Sequence, residues 1–219
     1  MTKPTAIWLY GSHARGDSDA KSDVDILLVA DKAVRPRLPR HVTQLGKPSI
    51  SRYSWEELEG MANQGSLFMQ HLLLEGVSLY ESKESRGRLK RLLSGLVGYK
   101  NARRDTMAFR EVLGDVKQEL DAGSPIGYEL TVIGTVLRHA SILGCYLIGK
   151  PSFGRTEPLQ VFSKAVSLPA QIGREFPLLY EFRLNSERSH RGNGIPNIFF
   201  ARKWLARTEL VVDRVGELA

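Results

Sequence analysis

Two aspartates one residue apart, Asp23 and Asp25, open the apolar run Ile26-Leu27-Leu28-Val29, and a glycine-serine pair, Gly11-Ser12, closes another, Ile7-Trp8-Leu9-Tyr10. Side chains alternate faces along a strand, so carboxylates two positions apart point the same way, roughly 7 Å from one another. Two hard oxygen ligands on a rigid strand suit Mg²⁺ (or Mn²⁺), which binds through one or two carboxylates together with substrate phosphates and retained water. A glycine where a strand gives way to a turn and a helix lets the backbone approach a phosphate, and amide hydrogens at a helix start attract anions. Val24, Ile26 and Leu28 fall on the opposite face, where they can pack on a core.

Gly11-Ser12-His13-Ala14-Arg15-Gly16, followed by Ser22-Asp23-Val24-Asp25-Ile26, resembles the signature of the DNA polymerase beta-type nucleotidyltransferase superfamily, in particular its minimal nucleotidyltransferase branch. The resemblance implies an NTP substrate such as ATP, with Gly11 and Ser12 on its phosphates and Asp23 and Asp25 as catalytic metal ligands. It implies transfer of a nucleoside monophosphate to an acceptor, with release of pyrophosphate. Arg15 fits two roles, neutralising phosphate or tying the loop to Asp17 or Asp19. Members of the superfamily usually add a third acid from a later strand, and here the corresponding strand, Ser49–Ser54, has none. Glu57 is explained by a helix-capping role and Glu75 by its place at a helix end. The alternative is therefore a catalytically silent nucleotide- or RNA-binding subunit, regulatory or antitoxin-like, in a defence module.

The elements that must position these residues follow from periodicity. Thr5–Tyr10 is expected as a strand, Gly11–Arg15 as a short helix, the aspartate run as a second strand and Ser49–Ser54 as a third. Ser54-Trp55-Glu56-Glu57 forms a capping box opening a helix to about Asn63. Leu67–Glu75 is expected as a helix apolar on most sides and so buried, stopped by Gly76, with Val77–Tyr80 as a last strand. This α/β (α+β) layout, a small mixed sheet backed by helices, is expected over residues 1–82. A charge-rich connector, 83–98, then leads to an all-α bundle of about five helices over 99–219, at 100–120, 128–148, 157–166, 177–183 and 198–218.

The 219 residues carry 31 Lys/Arg against 24 Asp/Glu, a net charge of +7. The excess sits in one half: residues 1–82 hold 9 Lys/Arg and 10 Asp/Glu, whereas 83–219 hold 22 and 14. A basic second half points to a polyanionic partner and favours an RNA or protein acceptor over a cationic small molecule, although a solvated basic face has the same composition. A homo-oligomer or a partner protein of the same module would complete the assembly. No apolar run of membrane-spanning length and no signal-peptide pattern stands out, so no membrane role is expected. The single cysteine, Cys145, lies in an apolar setting and is expected as a buried inert thiol in a reducing cytoplasm. His71 and His139, also among apolar residues, are expected as packed core histidines.

Arg183-Leu-Asn-Ser-Glu-Arg-Ser-His190 separates an arginine and a histidine by six residues. That spacing resembles the motif of the HEPN ribonucleases, helical proteins often encoded with minimal nucleotidyltransferases in antiviral defence and toxin-antitoxin modules. It implies either RNA cleavage through Arg183 and His190 or a loop contacting phosphate or acceptor through Arg188, His190 and Arg191, beside the plain reading of a surface loop.

Overall fold

The computed structural model describes residues 5–20, 22–30, 44, 46–187 and 197–219, with the side chains of 183–187 excepted. Arg188, His190 and Arg191 lie outside the described residues. The chain divides into two compact units, Met1–Lys100 and Asn101–Ala219.

In the first unit, four strands form a mixed sheet: β1 (Ala6–Tyr10), β2 (Val24–Val29), β3 (Pro48–Tyr53) and β4 (Val77–Glu81), in the order β3-β2-β1-β4. β1 runs antiparallel to both β2 and β4, and β2 is parallel to β3. A single turn, α1 (Ser12–Arg15), follows β1, and α2 (Trp55–Asn63) and α3 (Leu67–Glu75) connect β3 to β4. Apolar residues on successive positions of β1 and β2 bury both faces of the sheet. Ile7, Leu9, Val24, Ile26, Leu28 and Ala30 form one cluster. Ala6, Trp8, Tyr10, Leu27 and Val29 form the other, with Leu58 and Ala62 of α2 and Met69 and Leu72 of α3.

The Ser54 hydroxyl accepts from the Glu57 amide at 3.1 Å while the Glu57 carboxylate accepts from the Ser54 amide at 2.7 Å, which completes the expected capping box. α3 differs from expectation. Only one side is buried, through Met69 and Leu72, while Leu73 and Leu74 are 47 % and 54 % exposed. A helix packed on one face of a sheet needs only a stripe of apolar residues, and α3 carries more than that stripe uses.

Residues 83–98, expected as a connector, hold a further helix, α4 (Arg88–Ser94), inside the first unit. Leu89 and Leu93, four apart on one face, join the core under the sheet, each worth about 1.5–3 kcal/mol when fully buried. The charged residues of this stretch fall on the helix's other faces, with Arg88 paired to Glu59 at 2.6 Å.

The second unit is helical throughout its described residues: α5 (Ala102–Ala122), α6 (Ile126–Leu147), α7 (Glu157–Ala165), α8 (Ala170–Glu187) and α9 (Ile198–Gly216). α6 is long and apolar enough to cross a membrane by length and composition, and 61 % of its most apolar window is buried in the protein. It packs against α5, α7, α8 and α9 as the central helix of the bundle. α8 begins seven residues before the expected start at Pro177 and runs through that proline. Proline suits a first helical turn, but an interior one forfeits a backbone bond, and here Ile172, Phe176 and Leu179 anchor both sides of it in the core.

Candidate functional site

Gly11 sits at the break between β1 and α1 with φ 72° and ψ −154°. An L side chain is rarely found in that region, so the turn depends on glycine. The close approach is as demanding as the angles. A Cβ on Gly11 would lie 2.5 Å from Asp25 Oδ2 and 3.3 Å from its Cγ. The glycine-serine turn and the second aspartate are therefore in contact. Ser12 is nearly buried, and its carbonyl accepts the amides of Gly16 and Asp17, which closes α1 after one turn.

Asp25 is the second residue of β2 and lies opposite Tyr10 of β1 and beside Ser49 of β3. Its neighbour Asp23 immediately precedes the strand. The Val24 amide bonds the Lys47 carbonyl at 2.9 Å, so the ladder reaches back to Val24, and the two-residue repeat puts both acids on one side of the sheet. Asp23 is exposed and Asp25 half-buried. Val24 and Ile26 take the other face, as the alternation predicts. In the adjoining loop Asp17 and Asp19 are both exposed; Asp17 meets Arg15, and Asp19 exchanges hydrogen bonds with Ser22.

The wall beside Asp25 is aromatic and hydroxylic. Tyr10 packs edge-on against Phe68 at 5.6 Å and His71 at 5.3 Å, between ring centroids. Its hydroxyl lies 2.8 Å from the Ser51 Oγ. Burial raises the Tyr10 phenol above its ordinary value, against the lowering by Ser51, and the nearby Asp25 charge adds to the rise. The phenol is thus kept protonated.

Arg15 takes the second of its two expected roles. Its Nε donates to Asp17 at 3.2 Å and its Nη1 to Glu75, from α3, at 2.6 Å. The same Glu75 Oε2 lies 2.7 Å from His71 Nε2. Burial alone would raise the Glu75 carboxyl, but the hydrogen bonds and charges of His71 and Arg15 outweigh it and hold the carboxyl below the usual range. Burial likewise opposes the Arg15 charge, and Asp17 and Glu75 raise its pKa nonetheless. Sequence reasoning missed this Arg15–Glu75–His71 cluster. Only the i, i+4 spacing of His71 and Glu75 on α3 signalled part of it.

The chemistry of the donors fits a hard divalent cation that takes two carboxylates and completes its shell with substrate phosphate and water. Among the described residues, no group of three or more His, Cys, Asp or Glu side chains is placed to hold a metal ion by itself. β3 adds none: it holds no carboxylate, and its residues that share the Asp25 face are Ser49, Ser51 and Tyr53. Glu57 is engaged in its capping box and Glu75 in its ion pairs.

In the second unit, Arg183 lies in the last turns of α8. His139 corrects the expectation of a core histidine. It is exposed on α6, between the inward-facing Leu137 and Ala140. Cys145 is fully buried, and burial pushes its thiol up to about 12.

Residues 1–85 match the family model described as polymerase beta, nucleotidyltransferase. The match covers the whole sheet and ends before α4. A comparison with curated proteins gives no match.

Proposed function

We propose, from the nucleotidyltransferase domain at residues 1–85, that this protein transfers a nucleoside monophosphate from an NTP to an acceptor hydroxyl, RNA or protein being favoured, and releases pyrophosphate. The observation that carries the reading is the contact between Gly11 and the Asp25 carboxylate, which brings the phosphate-approach turn and the acid pair together. Asp23 and Asp25 would hold Mg²⁺ or Mn²⁺. Such a cation, when bound, supplies neutralisation of the triphosphate and of the departing pyrophosphate.

The chain's own contribution is positioning. Gly11, having no Cβ, leaves room for a phosphate against the backbone, and Ser12 offers its hydroxyl and amide beside it. The acceptor oxygen forms the new bond to the α-phosphorus, the α–β bridging P–O bond breaks in line, and the hydroxyl proton passes to solvent water. Holding the reactants in line is itself worth several powers of ten in rate. Arg15 serves this arrangement indirectly, by fixing the loop between Asp17 and Glu75.

The test is incubation with each α-labelled NTP, Mg²⁺ or Mn²⁺, and mixed RNA or cell lysate. The expected result is a labelled acceptor that disappears with Asp25→Ala while the fold persists. Undiminished transfer by Asp25→Ala protein refutes the assignment. A second reading, a nucleotide-binding subunit without turnover, is favoured by the serines where β3 faces Asp25. It predicts saturable NTP binding with no labelled product.

A further inference from the structure

A groove of about 300 Å³ in the second unit is lined by Gln160, Ser163 and Lys164 of α7, Leu168 of the linker, and Ala170, Gly173 and Arg174 of α8. No acid lines it. The nearest acid in sequence, Glu175, is bound by Arg207 and Lys203, each at 2.7 Å, and these hold its carboxyl down at about 2. Lys164 and Arg174 are both exposed and make no ion pair among the described residues. The tight α7-to-α8 turn, closed by the Leu168 amide on the Ser163 carbonyl at 2.9 Å, brings the start of α8 to the same groove. The amides of Ala170 and Gln171 there have no partner within the helix, and no acid occupies this first turn. Ser163 is 6 % exposed, and its hydroxyl is buried without a hydrogen-bond partner among the described residues. An orphaned hydroxyl costs free energy that a ligand's oxygen can recover.

We infer that this groove binds a small organic phosphate of nucleotide size. Lys164, Arg174, Ser163 and the first-turn amides of α8 would hold the phosphate. Leu168, Ala170 and the aliphatic stems of the two cations would meet the apolar body, with the Arg174 guanidinium plane able to lie on a ring. Gly173 lines the groove without a side chain of its own. The site is separate from Asp23 and Asp25 and does not depend on their role.

The experiment is calorimetric titration of the full chain with AMP, inorganic phosphate and adenosine, in EDTA so that no divalent cation supports binding at the acid pair. AMP is expected to bind at submillimolar concentration, phosphate more weakly and in competition with it, and adenosine least. Lys164→Gln/Arg174→Gln is expected to weaken AMP at least about tenfold, the loss of charge-assisted hydrogen bonds. Ser163→Ala is expected to weaken AMP while leaving the free protein's melting temperature equal or higher, since it removes an unsatisfied buried group. Asp25→Ala is expected to bind AMP as the parent does. The inference is overturned if AMP fails to bind, if adenosine binds as well as AMP, if the double variant binds within twofold of the parent, or if Asp25→Ala abolishes binding.

Discussion

Replacing Gly11 by alanine tests the site at the point where backbone and carboxylate meet. Two costs add. The φ 72°, ψ −154° conformation is one that glycine alone adopts readily, at about 1–3 kcal/mol for any other residue. The new methyl would also stand 2.5 Å from Asp25 Oδ2. Relieving that contact moves the carboxylate by about 1 Å, to an off-rotamer position costing about 0.5–1.5 kcal/mol. The sum, about 1.5–4.5 kcal/mol, corresponds to a drop on the order of 10 °C or more in the melting of a unit this size. Gly16 provides the comparison. It has φ 80° and ψ 16°, with nothing within 4 Å of its would-be Cβ, so alanine there costs only the left-handed strain of about 1–2 kcal/mol. Melting curves and NTP titrations of both variants are the assay. Gly11→Ala is expected to melt well below Gly16→Ala and to lose metal-dependent NTP binding, which Gly16→Ala keeps. If the two variants melt together and bind NTP alike, the contact between the turn and Asp25 is not what organises the site.

The Arg15–Glu75–His71 cluster gives a pH-dependent expectation. Because the folded Glu75 pKa is depressed below its ordinary 4.5, its stabilisation is present above that value and is lost as pH falls through the lower, folded value. Glu75→Gln should therefore lower the unfolding free energy measured in urea at pH 7, by about 2–3 kcal/mol for a largely buried charged network, with the gap from the parent closing as pH falls below 4.5; a gap that stays constant refutes the charge-based account. Cys145, with its thiol raised to about 12 by burial, should resist an aromatic disulfide reagent at pH 8 until denaturant opens the second unit. Rapid stoichiometric reaction of the native protein would contradict its burial.

What could be taken from the sequence was local. The capping box at Ser54 and Glu57 involves neighbours three residues apart, and the strand alternation at Val24-Asp25-Ile26 involves two, so both were legible from pattern alone. α4 was hidden by its own charges: Arg88, Lys90 and Arg91 mask Leu89 and Leu93, whose spacing of four is the helical signal. The first half of α8 was hidden by Pro177, a residue that usually starts helices, although Ile172, Phe176 and Leu179 already kept helical spacing. Contacts across long separations left no trace in spacing. Arg15 and Glu75 are 60 positions apart and meet only because α3 packs against β1, the strand that α1 follows.

The same limit governs the missing third acid. The sequence shows only that Ser49–Ser54 contains no carboxylate, which leaves room for an acid from elsewhere to swing in. Parallel pairing of β3 with β2 narrows that room, because it fixes Ser49 beside Asp25 and puts Ser51 next on that face, where it meets Tyr10 at 2.8 Å. Glu75 comes from the adjoining helix but is held by Arg15 at 2.6 Å and His71 at 2.7 Å, and freeing it would leave Arg15 with Asp17 alone. Among the described residues, then, no third carboxylate joins Asp23 and Asp25. Under the proposed function the proton passes to solvent, and the rate of transfer is expected to rise with the acidity of the acceptor hydroxyl, whereas a silent subunit shows no rate with any acceptor.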